Sequence, residues 1–322
     1  MQHILLEIPH SSDVGMSYGT YDRELQLQRI PPVLARRLRG ESEQVQQTIR
    51  FGCDYAVQEM THYIQLHKLF GTTFICSSLA RAFVDCNREP HAVSGLVVEN
   101  APLNAHHHGL IWARTVPTGI DLTLPPDELE RIVAEQTEQL YRTPLTQAEF
   151  TQLLDDYYYP YHRRVKRAHT RMLEDNGYCI HLALHSLPPV AITTVNGGYV
   201  CGAPAKRGSM NLVENTMPDV ILIHNNFQAA DKVIVDTIRK TFVSAGLIVE
   251  DGAGPFLGNG GVTKMYGNPK EGVHVVGIEH VTNGIETERH EGKIPVSMDQ
   301  IYKARAFQQV YQEVIETLLE EL

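Results

Sequence analysis

Two widely separated stretches of the chain repeat one pattern, an apolar, strand-like run that stops at His-Ser. The first is Ile4-Leu5-Leu6-Glu7-Ile8-Pro9-His10-Ser11, and the second is Ile180-His181-Leu182-Ala183-Leu184-His185-Ser186, followed by Pro188 and Pro189. Further strand-like runs lie at Thr73–Cys76, Ala82–Asp85, Val220–Ile223, Leu247–Glu250 and Val273–Ile278, the run before His185 itself spanning Tyr178–Leu184. Helical stretches separate many of them. Asp127 to Tyr141 follows a Pro125-Pro126 start, Asp155 to Glu174 carries its Lys and Arg on an exposed face, and Ala229 to Ala245 stops at Gly246. In the last helix Phe307, Val310, Tyr311, Val314, Ile315 and Leu318 form an i, i+3, i+4, i+7 stripe, with Ser297, Asp299 and Gln300 as a capping-type start. Strands alternating with helices predict an α/β fold, a mostly parallel mixed sheet with helices on both faces. No low-complexity linker or internal repeat divides the 322 residues, so a single domain over 1–322 is expected.

In such sheets the carboxyl ends of the strands form the ligand crevice, so His10 and His185 are expected on one rim. Two imidazoles from separate strands are half of a catalytic zinc site, which takes three protein ligands and keeps one position open. Asp54, after Phe51-Gly52-Cys53, reads either as a helix N-cap or as the oxygen ligand that completes the set. Asp13 competes for that role through the short spacing of His10-Ser11-Ser12-Asp13.

Three further clusters carry functional groups. Arg81-Ala82-Phe83-Val84-Asp85-Cys86-Asn87-Arg88 would, as a strand, set Arg81, Phe83 and Asp85 on one face. Its arginines suit a substrate carboxylate through the planar two-donor fork, and a surface ion pair with Asp85 is the plainer alternative. Glu279 closes the last strand after Val273, Val275, Val276 and Ile278, where apolar neighbours raise a carboxyl toward general-base values, a solvated Glu at a strand end being the competing reading. His106-His107-His108 reads as loop surface or a pocket wall, because adjacent loop histidines point in different directions. The glycine-rich run Gly252–Gly261 lacks dinucleotide spacing, and Pro255 interrupts it.

Composition narrows the partners. A net charge of −10 argues against a nucleic-acid binder, and no run approaches the ~20 apolar residues needed to span a bilayer. Five cysteines without a C-x-x-C pair, and no signal-peptide pattern at the N-terminus, fit a reducing cytoplasm.

Taken in order, these pieces resemble the N-formylglutamate amidohydrolase (N-formylglutamate deformylase) family. The resemblance runs over roughly residues 3 to 285, through Pro9-His10-Ser11, Asp54, Arg81–Arg88, Tyr158-Tyr159-Pro160-Tyr161-His162 and Leu184-His185-Ser186. It continues through Pro255-Phe256, Gly260-Gly261, Tyr266-Gly267-Asn268-Pro269, Gly272-Val273-His274 and Ile278-Glu279. It implies a fold similar to zinc-dependent exopeptidases and hydrolysis of an N-acyl amino acid, N-formylglutamate being the family substrate, as in histidine degradation. It also implies zinc or another divalent first-row metal held by His10, Asp54 and His185, with Glu279 and Arg81 catalytic. Arg88, Asn87, Asp85 and His162 would bind the substrate. The chain departs from the family in two places. Members carry D-x-H-S at the second histidine, and here that Asp is Ala183. The segment from Gly198-Tyr199-Val200-Cys201 onward to His224-Asn225-Asn226 lacks the family's glycine-rich pattern, which bears on substrate identity more than on metal binding. Rival readings are a carboxypeptidase-like metallopeptidase with the same site, or a non-catalytic binding protein for amino-acid derivatives, which Ala183 favours.

Overall fold

The computed structural model describes residues 4–9, 16–17, 20–21, 30–39, 72–77, 79, 81–103, 106–187, 190–211, 213–252, 261–281 and 298–321. His10, Asp13, Asp54, Pro255, Phe256, Gly260 and Ser297 lie outside them.

The strands needed here are β1 (Ile4–Ile8), β2 (Thr72–Cys76), β3 (Cys179–Leu187), β4 (Val190–Val195), β5 (Gly198–Pro204), β6 (Val220–Ile223), β7 (Val249–Asp251) and β8 (Val273–Val281). Six of them form one sheet in the order β7-β6-β8-β3-β1-β2. The run β8-β3-β1-β2 is parallel throughout. The two remaining strands are parallel to each other and antiparallel to β8. Beside this sheet, β4 and β5 form an antiparallel hairpin.

Both faces of the sheet are covered, which explains why its strands are apolar without alternation. Ile4, Leu6, Ile8, Ile180, Leu182, Leu184, Val276 and Ile278 pack on one face against α4 (Lys232–Ser244) and α6 (Met298–Glu321). The stripe read from the sequence supplies the α6 contribution through buried Tyr311, Val314, Ile315 and Leu318, with Phe307 and Val310 alongside. The other face is covered by α3 (Tyr159–Asn176), the short α5 (Val262–Tyr266) and the turn-rich segment between residues 81 and 145. No helix among the described residues is long and apolar enough to cross a membrane.

Three expectations about elements are corrected. Helix α1 (Pro126–Gln136) starts at the prolines but stops well before Tyr141. The helix expected from Asp155 begins earlier, as α2 (Gln147–Leu153), and a π-turn at Leu154–Tyr158 joins it to α3. Pro160 accounts for the π-turn. It has no N–H to donate and its ring crowds the turn before it, so the Tyr159 N–H reaches back to the Leu154 carbonyl.

Ala82–Asp85, finally, is a set of turns rather than a strand. Arg81 Nε donates to Asp85 Oδ2 at 2.7 Å, a contact across four residues that an extended strand, rising about 3.3 Å per residue, would pull apart. Asp85 Oδ1 also accepts the Asn87 N–H at 2.8 Å, which curls the chain further.

Candidate functional site

The register of the parallel strands lays out the sheet face under α3 and α5 as rows of neighbours. Leu5, His181 and Val275 form one row, Glu7, Ala183 and Gly277 the next, and His185 and Glu279 a third, one row before β3 and β8 end at Leu187 and Val281. His185 and Glu279 are thus direct neighbours on adjacent strands about 4.8 Å apart, projecting on the same face. His185 is buried and Glu279 partly exposed. Two of the second row's residues, Ala183 and Gly277, are small, and Ala183 packs with Val262, Val273 and Val275 in a cluster that seats α5 there.

The arginine segment stands over this face, anchored to α5. Asn87 Oδ1 accepts the Val262 N–H at 2.7 Å, and Gly261, at φ +79°, leaves no room for a side chain beside that amide: a Cβ would fall 1.9 Å from the same oxygen. Tyr158 donates through its hydroxyl to the Arg88 carbonyl at 2.8 Å and touches Met265 of α5. Asp85 is fully buried and lies between the two arginines, 2.7 Å from Arg81 Nε and 3.7 Å from Arg88 Nε. So Asp85 and Asn87, expected at the substrate, have visible work in shaping the loop: Asp85 orients the guanidinium groups and Asn87 ties the loop to α5.

The hairpin brings a residue that the sequence did not single out. Tyr199, in β5, accepts hydrogen bonds from both Arg81 Nη2, at 2.5 Å, and Arg88 Nη2 through its hydroxyl. Its ring lies 5.0 Å from the Arg81 guanidinium carbon and 5.8 Å from that of Arg88, and Trp112 flanks Arg81 at 5.5 Å. His108 fixes Tyr199 from behind. Its ring stacks on the phenol with an interplanar angle of 9°, and its Nδ1 accepts the Tyr199 N–H at 2.5 Å. Its Nε2 therefore carries the proton, given to the Arg114 carbonyl at 2.8 Å. Burial pushes His108 down to about 3, so it is a neutral prop, and of the two expected roles for the histidine run it fills that of a pocket wall.

A second buried cluster was also missed. Glu7, with no exposed surface, has Oε2 2.6 Å from His181 Nε2 and accepts the Tyr161 hydroxyl at Oε1 over 2.5 Å. His181 Nδ1 lies 3.1 Å from His169 Nε2. Burial alone would raise the Glu7 pKa, but the adjoining His181 and Tyr161, with His162, outweigh it and hold the carboxyl below its usual range. His162, expected to bind substrate, shares a short hydrogen bond between its Nδ1 and the Tyr266 hydroxyl. Its buried Nε2 meets no hydrogen-bond partner among the described residues, and burial lowers its pKa to about 4. The signal for this cluster was available: Glu7 and His181 are polar residues inside otherwise apolar strands, where each needs a partner.

A sequence profile for N-formylglutamate amidohydrolase matches residues 28–285. The chain belongs to the N-formylglutamate amidohydrolase family. The match takes in Asp54, Arg81, Arg88, His162, His185 and Glu279 and begins after His10. Among solved structures, the N-formylglutamate amidohydrolase from Ralstonia eutropha JMP134 is 18% identical with a TM-score of 0.67, over 100% of this chain and 95% of that one. Gene product Atu2144 from Agrobacterium tumefaciens is 16% identical with a TM-score of 0.54, over 98% of this chain and 92% of that one. At these identities the likeness is one of fold. No curated protein matches the sequence. Within the family's fold, the rows of β3 and β8 and the arginine loop are the parts of this chain that carry reactive groups.

Proposed function

We propose that this chain is a metal-dependent amidohydrolase that cleaves the amide bond of N-formyl or other N-acyl amino acids, with N-formyl-L-glutamate the first substrate to try. The observation that carries the reading is the pairing of His185 with Glu279 near the carboxyl ends of adjacent parallel strands, in a chain of the N-formylglutamate amidohydrolase family. Among the described residues no three His, Cys, Asp or Glu side chains come together as a metal cage. The ligand set therefore rests on His10 and Asp54, outside those residues, joined to His185. The chemistry of His185 fits, since a buried imidazole beside a carboxylate offers a nitrogen donor with a base next to it.

Zinc, or another divalent first-row ion, would when bound polarise the acyl carbonyl and acidify the attacking water. The protein's own groups do the rest. Glu279 takes a proton from that water and delivers it to the departing amine nitrogen. Arg81 and Arg88 hold a carboxylate of the substrate, oriented by Asp85 and tied over the strand ends by the Asn87 contact with α5. Tyr161, Tyr266 and His162 close the face beneath α3 with polar groups that hydrogen-bond one another or Glu7.

The test is a panel of N-formyl, N-acetyl and peptide substrates offered to zinc-loaded protein, with metal content measured alongside. Hydrolysis of N-formyl-L-glutamate ahead of dipeptides is the expected outcome. Full metal loading without turnover of any N-acyl amino acid would sink the reading.

A further inference from the structure

The Tyr199 hydroxyl has one hydrogen to donate and lone pairs to accept with. Two guanidinium donors, from Arg81 and Arg88, converge on that oxygen. What is left is the phenolic hydrogen, and among the described residues it has no acceptor. The hydroxyl thus sits between two cations and presents a third donor beside theirs. Within the cluster, both guanidinium groups face the buried carboxylate of Asp85. Arg88 Nε adds a buried N–H that finds no hydrogen-bond acceptor among the described residues, its 3.7 Å approach to Asp85 being too long for one. An array of donors on two guanidinium groups and a phenol is complementary to an anion with several acceptor lone pairs, which describes a carboxylate.

We propose that Tyr199 is a specificity-determining residue of a carboxylate site formed with Arg81 and Arg88, donating its phenolic hydrogen to the bound carboxylate while its oxygen holds the two guanidinium groups in place. The assignment rests on the amidohydrolase reading only for the identity of the ligand's remainder; the donor array stands without it. The structure around Tyr199 supports a fixed donor rather than a loose side chain. His108 holds its backbone N–H and stacks on its ring, and both arginines lie against the ring. The consequence is a preference for acidic ligands. A neutral amide in the same position brings an NH2 group against donors.

Glutarate serves as the probe, because it carries the carboxylates and nothing to hydrolyse. Its affinity for the zinc-loaded full chain is measured by calorimetry in wild type and Tyr199→Phe, with glutaramide as the neutral control and thermal unfolding as the check on folding. Tyr199→Phe keeps the ring and its contacts with the arginines and removes the oxygen. Loss of a hydrogen bond to a charged group should weaken glutarate roughly tenfold or more, and glutaramide should bind far more weakly than glutarate in both proteins. In an active enzyme the KM for N-formyl-L-glutamate should rise similarly, with kcat within a few-fold. If Tyr199→Phe fails to fold, Tyr199→His, which keeps a flat ring with a donor, should lose less affinity than Tyr199→Ala. Glutarate affinity unchanged within twofold in Tyr199→Phe, equal affinity in the His and Ala variants, or no glutarate binding by the wild type would each overturn the proposal. Since the measurement involves no turnover, a chain that binds glutarate through Tyr199 but hydrolyses nothing sinks the hydrolase reading alone. An active enzyme whose glutarate affinity ignores Tyr199 sinks this one alone.

Discussion

Glu279 and His280 are consecutive residues of β8 with opposite surroundings. Strand periodicity turns Glu279 to the face under α3 and α5, beside His185, and turns His280 into the core against Tyr311 of α6. Burial pushes His280 down to about 3, so it stays neutral and serves packing. Of the two, only Glu279 is partly exposed near the strand ends. Glu279→Gln nearly preserves shape while removing the base, so kcat should fall by roughly 10²–10⁴ with metal content unchanged. A variant with full metal and near-normal turnover would overturn its role. At this scale the sequence was a good guide to which residues matter and a poor guide to what each touches. Asp85 was legible as a partner for the arginines, but its complete burial between them was not. Tyr199 stood only in a run that departs from the family pattern, and its role could not be read, because it comes from contacts made 118 and 111 residues away in the chain.

Strand register decides how the departure at Ala183 is to be understood. Ala183 stands directly beside Glu7 of β1 on one side and Gly277 of β8 on the other, on the face that carries the site. That row already contains a carboxylate, satisfied by His181 and Tyr161. Ala183→Asp would match the family pattern on paper and yet set a second buried carboxylate next to Glu7. It should therefore destabilise the fold by about 3–5 kcal/mol, the usual cost of an uncompensated buried charge. Glu7→Gln combined with Ala183→Asp should cost clearly less than the sum of the two single changes, read by urea denaturation. Strict additivity, or a stable Ala183→Asp protein, would show that the two positions do not share a row. The strands β1, β2 and β6 were legible almost residue by residue, because apolar runs between breakers leave few alternatives. By contrast, β3 and β8 run three residues past their expected ends, to Leu187 and Val281, through polar His185, Ser186, Glu279 and His280. Their register was not, since pairing partners are set by tertiary packing. The Arg81–Asp85 turns were misread as a strand for a related reason: the apolar residues Ala82, Phe83 and Val84 are buried here by neighbouring loops, not by a ladder.

Across the whole molecule, buried neutral histidines set the response to acid. His108, His169 and His280 are lowered to about 3, and His107 and His162 to about 4, with burial the largest cause for each. An unfolded histidine titrates near 6.5, so between about pH 6.5 and these folded values the unfolded chain binds more protons. Stability therefore falls as pH drops through that window. Glu7 acts in the same direction, its depressed carboxyl losing its contribution as pH falls through the folded value. The Tm at pH 5 should lie at least about 5 °C below that at pH 7.5, on a scale of roughly 2–4 °C per kcal/mol. An equal or higher Tm at pH 5 would mean that these histidines are hydrated in solution. The sixteen histidines stood out in the sequence, but only the packed structure shows which of the described ones are buried.

The curled arginine loop has a consequence for how the protein comes together. Its anchors are Asp85 within the loop, Tyr199 in the hairpin and Val262 at the start of α5, the last 175 residues along the chain from Asn87. Helices and hairpin can close early from local contacts, whereas this loop is tied down only after distant parts of the polypeptide have met. The ability to recognise an anion is thus among the last properties the chain acquires as it folds, and among the first it loses when any one of those three segments works loose.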